Sequence, residues 1–312
     1  MKSISKWIYL LMRIISCACV LLTVCSPLAM AQTFSDIFVF GDSLSDVGNV
    51  YVGSEQQIPP SPPYYEGRFS NGPVWVERLA TSLGLNASTP SLRGGNNFAF
   101  GGAQTGDGHS TIDAQIPNIG TQIDMFVTSG KQITSTDLVV LWAGHNDIGA
   151  EIPSDTILQN LQTHVSELAG LGGQTFLIPN LFEPTGLNAA LTAQWTQLAS
   201  DLNINIVELD FRSLVFGVLT NPQASGITNP FAPACPDCEN GATQVVANPD
   251  SYLFWDNIHP TAVGHQLIAN SGLSALRNVP EPNGMSVMMI ATMFFSLHCR
   301  RKQESNYPKR AR

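Results

Sequence analysis

The sequence is poor in basic residues, in cysteine and in long apolar runs. Only 15 Lys and Arg stand against 24 Asp and Glu among 312 residues, and there are 6 cysteines. The apolar stretch 285–297, extended back to Gly284, would reach about 22 Å as a helix, short of the roughly 30 Å of a bilayer core. The shortage of apolar length therefore argues against an ordinary membrane-spanning tail.

The amino-terminal segment has the pattern of an export signal. Basic residues precede the apolar segment 14–22, and Ala29-Met30-Ala31 has the A-x-A form of a signal-peptidase site. We therefore expect residues 1–31 to be a secretory signal peptide. Cys25 leaves open a lipid-modified start as an alternative.

The carboxyl-terminal segment, residues 279–312, has three parts in a fixed order. Pro280-Glu281-Pro282 is followed by the apolar stretch 285–297 and then by a basic end. This order resembles the PEP-CTERM sorting signal of Gram-negative bacteria, which implies export to the cell envelope, transient membrane retention and processing by an exosortase-type enzyme. A disordered basic tail is the alternative.

Without its two ends the chain is strongly acidic. Residues 1–31 hold 3 basic residues, and 283–312 hold 6 basic and 1 acidic, so the remainder has 6 basic against 23 acidic residues and a net charge of −17. Such a charge repels phosphate backbones and argues against a nucleic-acid partner.

The same remainder keeps only two cysteines, Cys235 and Cys238. In an exported protein this pair is expected to form a loop disulfide. Structural zinc usually takes four ligands and no second pair is present, so no metal and no cofactor are predicted.

Strand-like and helix-like segments alternate through residues 32–278, with short links and no second domain boundary. This alternation predicts an α/β fold: one domain, a three-layer α/β/α sandwich around a mainly parallel sheet of about five strands. Irregular loops are predicted at 50–63, which is rich in Gly, Pro and Gln, and at 221–249, which is rich in Pro, Asn and Gly. The expected strands are 37–40, 94–103, 137–142, 174–178 and 205–209, and the expected helices include 73–82, 154–171, 188–203, 210–219 and 261–276.

Polar residues stand just after several of these strands, where chemistry in open α/β sheets usually takes place. Ser43 follows the first strand and is a candidate nucleophile, although Gly-Asp-Ser-Leu alone could be only a turn. Gly102 lies at the end of the second strand and Asn146 follows the third, and a backbone N–H and a carboxamide are the donors that an oxyanion needs. Asp256 and His259, three residues apart, can hydrogen-bond to each other.

Together these blocks resemble the SGNH, or GDSL, hydrolases. The matching blocks are Phe40-Gly41-Asp42-Ser43-Leu44, Asn97-Phe98-Ala99-Phe100-Gly101-Gly102-Ala103, Gly144-His145-Asn146-Asp147 and Phe254-Trp255-Asp256-Asn257-Ile258-His259-Pro260-Thr261. The segment 68–77 also looks like the lipase branch of that family.

The resemblance implies a flavodoxin-like topology and a secreted esterase or lipase. It makes Ser43 the nucleophile, His259 the base and Asp256 its orienting partner. It assigns the oxyanion hole to the N–H groups of Ser43 and Gly102 and the side-chain amide of Asn146. Choosing Gly102 rather than Gly101 rests on aligning the final Gly-Ala of that block.

Two of the chain's histidines, His145 and His265, are expected to be structural.

The substrate is expected to be a small-molecule, lipid or glycan ester. A carbohydrate O-acetylesterase acting on exopolysaccharide uses the same groups, and a non-catalytic surface binding protein on a hydrolase scaffold is the alternative from a different class.

Overall fold

The computed structural model describes residues 33–241 and 244–277. The predicted signal peptide and sorting tail lie outside these residues. None of the described helices is long and apolar enough to cross a membrane.

Four parallel strands form the central sheet: β1 (Ile37–Gly41), β2 (Leu138–Trp142), β3 (Thr175–Pro179) and β4 (Asn205–Leu209). Their order in the sheet is β1-β2-β3-β4. β1 and β2 are buried along their whole length, which agrees with their continuously apolar sequences.

The expected fifth strand is present only in part. Phe98 N donates to Val39 O at 2.7 Å and Phe100 N donates to Gly41 O at 3.1 Å, so this segment lies against the free side of β1. Regular pairing is limited to a parallel bridge between Val39 and Asn97. Counting this segment, the order in space is 2-1-3-4-5, the flavodoxin-like arrangement.

The described helices are α1 (Asn49–Gly53), α2 (Trp75–Ser82), α3 (Ile119–Thr128), α4 (His145–Gly149), α5 (Ser154–Gly170), α6 (Leu187–Leu202), α7 (Phe211–Thr220) and α8 (Ala262–Arg277). Helices cover the sheet in two groups. One group contains α2 and α8, which pack on each other, with α8 also in contact with α7 and β4. The other contains α3, α5 and α6, which contact one another in that order and reach β1 and β4. The predicted α/β sandwich is confirmed.

One predicted helix boundary and one predicted loop were wrong. Pro73 was expected to open α2, but the helix begins at Trp75 because the Glu77 carboxylate accepts the Val74 N–H at 2.8 Å and fixes the first turn there. The segment 221–249, predicted as a loop, contains β5 (Asn229–Pro233), which pairs in parallel with β6 (Tyr252–Phe254). Its two prolines concealed this strand from the sequence pattern.

Hydrogen bonds from helix α3 hold the carboxyl end of β1. Gln122 of α3 accepts the Gly41 N–H and donates to the Gly41 carbonyl, both at 2.9 Å. A Cβ on Gly41 would lie 2.6 Å from the Trp142 carbonyl oxygen, so the close approach requires glycine. This anchoring fixes the strand end that carries Ser43.

Candidate active site

Ser43, His259 and Asp256 lie in a single hydrogen-bonded line. His259 Nε2 is 2.8 Å from Ser43 Oγ, and His259 Nδ1 is 2.7 Å from Asp256 Oδ2. With the Nδ1 proton directed at the carboxylate, Nε2 is the atom that can accept the serine proton. The fold thus brings together a hydroxyl, an imidazole and a carboxylate in the order that nucleophilic catalysis needs.

Asp256 is completely buried and accepts four hydrogen bonds. Oδ1 accepts the N–H groups of Ile258 and His259, and Oδ2 accepts His259 Nδ1–H and the Tyr64 hydroxyl. Burial by itself would raise the pKa of Asp256, but the hydrogen bonds and the nearby His259 hold that pKa below its usual range. The carboxylate is therefore ionised when His259 needs a counter-charge.

The N–H groups of Ser43 and Gly102 and the side-chain amide of Asn146 are the candidate hydrogen-bond donors for a developing oxyanion. Among the described residues, the N–H groups of Ser43 and Gly102 have no acceptor. The Asn146 amide donates one hydrogen to the Ala103 carbonyl at 2.8 Å, which sets its orientation and leaves its second hydrogen available. Ser43, Gly102 and Asn146 are all partly exposed, so a substrate can approach them.

The two candidate glycines differ in what their N–H groups do. Gly101 N donates to Asp46 Oδ2 at 3.0 Å, so this donor is already used. Gly102 has a φ of +85°, the left-handed region that glycine adopts easily. The geometry therefore favours Gly102, and it assigns Asp46 the task of holding the turn, a role that the sequence did not reveal.

Asp42, next to the nucleophile, is also buried. Its Oδ1 accepts the Leu44 N–H at 3.0 Å and so stabilises the turn that carries Ser43. Burial raises the pKa of Asp42 to about 7, although the hydrogen bond from Leu44 and the nearby His259 act to lower it.

Burial keeps two further histidines, His145 and His265, neutral, and among the described residues neither has a hydrogen bond or ion pair to a carboxylate. His145 Nε2 accepts the Phe182 N–H at 3.1 Å, and burial lowers the pKa of His145 to about 4. His265 Nδ1 accepts the Trp75 N–H at 3.2 Å, and its pKa is lowered to about 3 for the same reason. Their contacts fit the structural roles expected for both.

Cys235 and Cys238 are joined by a disulfide, on a loop that packs beside Asp256. Both cysteines are buried in a small apolar cluster with Tyr64 and Trp255. Cys235 N donates to the Trp255 carbonyl at 2.7 Å, which ties the loop to the residue before Asp256.

Tyr64 contacts Asp256 and Phe69 contacts His259, and the sequence alone did not single out either residue. The Phe69 ring lies 5.1 Å from the His259 ring, and Tyr64 lies 192 residues before the aspartate that it contacts. The block 68–77 gave a signal for Phe69. Nothing in the proline-rich stretch before Tyr64 distinguished that tyrosine from its neighbour Tyr65.

Glu239 lies beside the same groups, and its side-chain oxygen, that of Asp256 and a ring nitrogen of His259 fall within 4.8 Å of one another. The donors already bound to Asp256 use four acceptor sites of that carboxylate, which leaves it poorly suited to a metal ion. Burial and the charge of Asp256 raise the pKa of Glu239.

An apolar cavity of about 330 Å³ opens beside Ser43. Its polar lining includes Asp42, Ser43, His145 and Asn146. Most of the remaining wall is apolar and comes from α7, α8 and the segment before α8.

Comparisons with known proteins assign the chain to a family. The profile of the GDSL-like lipase/acylhydrolase family matches residues 37–271. The chain is 26% identical to a phosphatidylcholine-sterol acyltransferase of Aeromonas hydrophila, over 80% of this chain and 92% of that protein. It is 25% identical to a GDSL esterase/lipase of Arabidopsis thaliana, over 80% of this chain and 87% of that protein.

Among solved structures, a lipolytic G-D-S-L family protein from Veillonella parvula superposes with a TM-score of 0.43 at 17% identity, covering 78% of this chain and 100% of that one. Because the family profile spans most of the chain, from β1 into α8, the chain belongs to the GDSL-like lipase/acylhydrolase family and is a hydrolase of ester bonds.

Proposed function

We propose that the protein is an exported serine esterase that hydrolyses carboxylic esters through an acyl-enzyme on Ser43. The observation that carries the proposal is the continuous chain of hydrogen bonds from Ser43 through His259 to Asp256, at 2.8 and 2.7 Å. A serine hydroxyl needs such a base, because it is a weak nucleophile on its own.

The chemistry follows from the positions of these groups. Ser43 Oγ attacks the ester carbonyl carbon while His259 Nε2 takes its proton, and the carbonyl oxygen becomes an oxyanion facing the donors of Ser43, Gly102 and Asn146. The bond to the alcohol oxygen then breaks, and His259 gives its proton to the leaving alcohol. Water, deprotonated by His259 Nε2, attacks the acyl carbon, the bond to Ser43 Oγ breaks, and His259 returns the proton to Ser43 as the acid leaves.

The decisive experiment is Ser43→Ala, assayed on short p-nitrophenyl esters. We expect hydrolysis to fall to background, while circular dichroism and the unfolding temperature stay close to those of the unchanged protein. Ser45→Ala is the matched control: it removes a hydroxyl two residues away that accepts from Trp75 Nε1 and takes no part in the chain to Asp256. Activity retained in Ser43→Ala would overturn the proposal.

Export is a separate part of the proposal. It is supported by the signal-like pattern of residues 1–31 and by the disulfide between Cys235 and Cys238, since such bonds persist in oxidising compartments. Expression of the full chain in a Gram-negative host, with amino-terminal sequencing of the extracytoplasmic product, tests it. A product that begins at Gln32 is expected, and one that keeps residues 1–31 in the cytoplasm would contradict it.

A further inference from the structure

The cavity beside Ser43 has a chemical character that bears on the substrate. Its apolar wall includes Phe211, Leu214, Val215 and Val218 of α7 together with Leu267 and Ile268 of α8. Two further apolar residues, Phe182 and Ile258, line it while remaining largely exposed, so the apolar surface continues outward from the cavity. No Lys or Arg is among its lining residues in the described part of the chain.

An apolar wall cannot replace the hydrogen bonds that a hydroxylated group makes with water. A sugar ring or a charged headgroup entering this space would lose hydrogen bonds to water without replacement, which is unfavourable. A hydrocarbon chain would be stabilised by burial, by about fourfold in binding for each buried methylene. The lining therefore favours a hydrocarbon part of the ester over a glycan.

The position of the cavity distinguishes the two ends of the ester. The leaving alcohol must lie against His259 Nε2, because that nitrogen protonates it. His259 does not line the cavity, whereas Ser43 and the oxyanion candidate Asn146 do. The geometry places the acyl side of the scissile bond at the mouth of the cavity.

We infer that this cavity holds the acyl chain of the substrate and that the enzyme prefers esters of medium-length fatty acids, on the order of six to ten carbons, over acetyl esters. A volume near 330 Å³ is at the lower end for small-molecule sites, which matches a chain of that size. The inference rests on the proposed acyl-enzyme mechanism and makes an O-acetylesterase the disfavoured alternative.

The experiment measures kcat/KM of the purified protein for p-nitrophenyl esters from acetyl to dodecanoyl, below their micellar concentrations. We expect octanoate to exceed acetate at least about tenfold, from the gain for each buried methylene. A parallel series of acetate esters with lengthening alcohols is expected to show a smaller change.

Leu214→Trp and Leu267→Trp fill the cavity from two different helices and start from half-buried side chains. Each is expected to lower the octanoate-to-acetate ratio of kcat/KM about tenfold or more. The matched controls are Leu219→Trp and Leu273→Trp, on the same two helices, half-buried but outside the cavity lining, and they should keep the ratio within about twofold. If one filling variant does not fold, the other and the unchanged enzyme's chain-length series decide the question.

The outcomes separate the two proposals. A flat acyl series, a ratio unchanged by both filling variants, or a stronger dependence on alcohol length than on acyl length would overturn the acyl cavity while leaving the esterase intact. Absence of Ser43-dependent hydrolysis at every chain length would instead overturn the proposed function itself.

Discussion

The Tyr64 hydroxyl donates a 2.7 Å hydrogen bond to Asp256 Oδ2, the same oxygen that accepts His259 Nδ1–H. Burial and the adjacent Asp256 charge raise the pKa of Tyr64, so the phenol stays protonated and remains a donor. Tyr64 is thus a positioning residue for Asp256, supplied by a segment far away in the chain.

Tyr64→Phe should lower kcat about tenfold with little change in KM, because the aspartate loses one of the bonds that hold it against His259. Steady-state kinetics on a soluble ester give both constants. Tyr65→Phe removes the neighbouring hydroxyl, for which no hydrogen bond is seen among the described residues, and should behave like the unchanged enzyme. Equal kcat values in the two variants would show that the Tyr64 bond does not support catalysis.

Asn146→Ala should lower kcat about 10²- to 10³-fold while KM changes little, since an oxyanion donor acts mainly in the transition state. Asn160→Ala is the control, because it removes the same type of side chain, one whose amide donates to the Thr105 hydroxyl. An increase confined to KM would mean that Asn146 binds the ground state instead.

Asp42→Asn should change how stability depends on pH. The folded-state pKa of Asp42 is raised to about 7, above its unfolded value near 3.8, so the stability that the protonated carboxyl contributes is present below pH 4 and lost as pH rises through 7. Asparagine does not titrate and can still accept the Leu44 N–H.

The variant should therefore gain in unfolding free energy relative to the unchanged protein between pH 4 and 8, by up to about 4 kcal/mol for a shift of about three pKa units. Urea unfolding of both proteins across this range gives the difference in unfolding free energy directly. His265, whose lowered pKa favours folding at higher pH, is present in both proteins, so its contribution cancels. A difference that stays constant with pH would contradict the raised pKa of Asp42.

Replacing both Cys235 and Cys238 with Ser should lower the free energy of unfolding by about 2 kcal/mol, since the closed loop is short. Because the pair packs on Tyr64 and Trp255 beside Asp256, kcat should also fall several-fold. Thermal unfolding and ester hydrolysis measure the two effects. Reduction of the unchanged protein with dithiothreitol should reproduce both, and full activity in the double variant would separate the disulfide from the site.

Local sequence patterns predicted the buried strands and the family of this protein. The buried strands β1 and β2 are apolar runs that end at glycine, and the blocks around Ser43, Gly102, Asn146 and His259 predicted the family, which the profile match over residues 37–271 confirms. Such signals can be read from the sequence because strand patterns and turn residues are local.

Only the tertiary structure decided which groups meet. Gly101 and Gly102 are neighbours in one block, and the carboxylate of Asp46, 55 residues away, accepts the N–H of Gly101, whereas the N–H of Gly102 has no acceptor among the described residues. Tyr64 reaches Asp256 and α7 meets α8 around the cavity through contacts between distant segments, which no local pattern records. The sequence determined the chemistry of the site, whereas the packing of distant segments decided its supporting bonds and the apolar space beside Ser43.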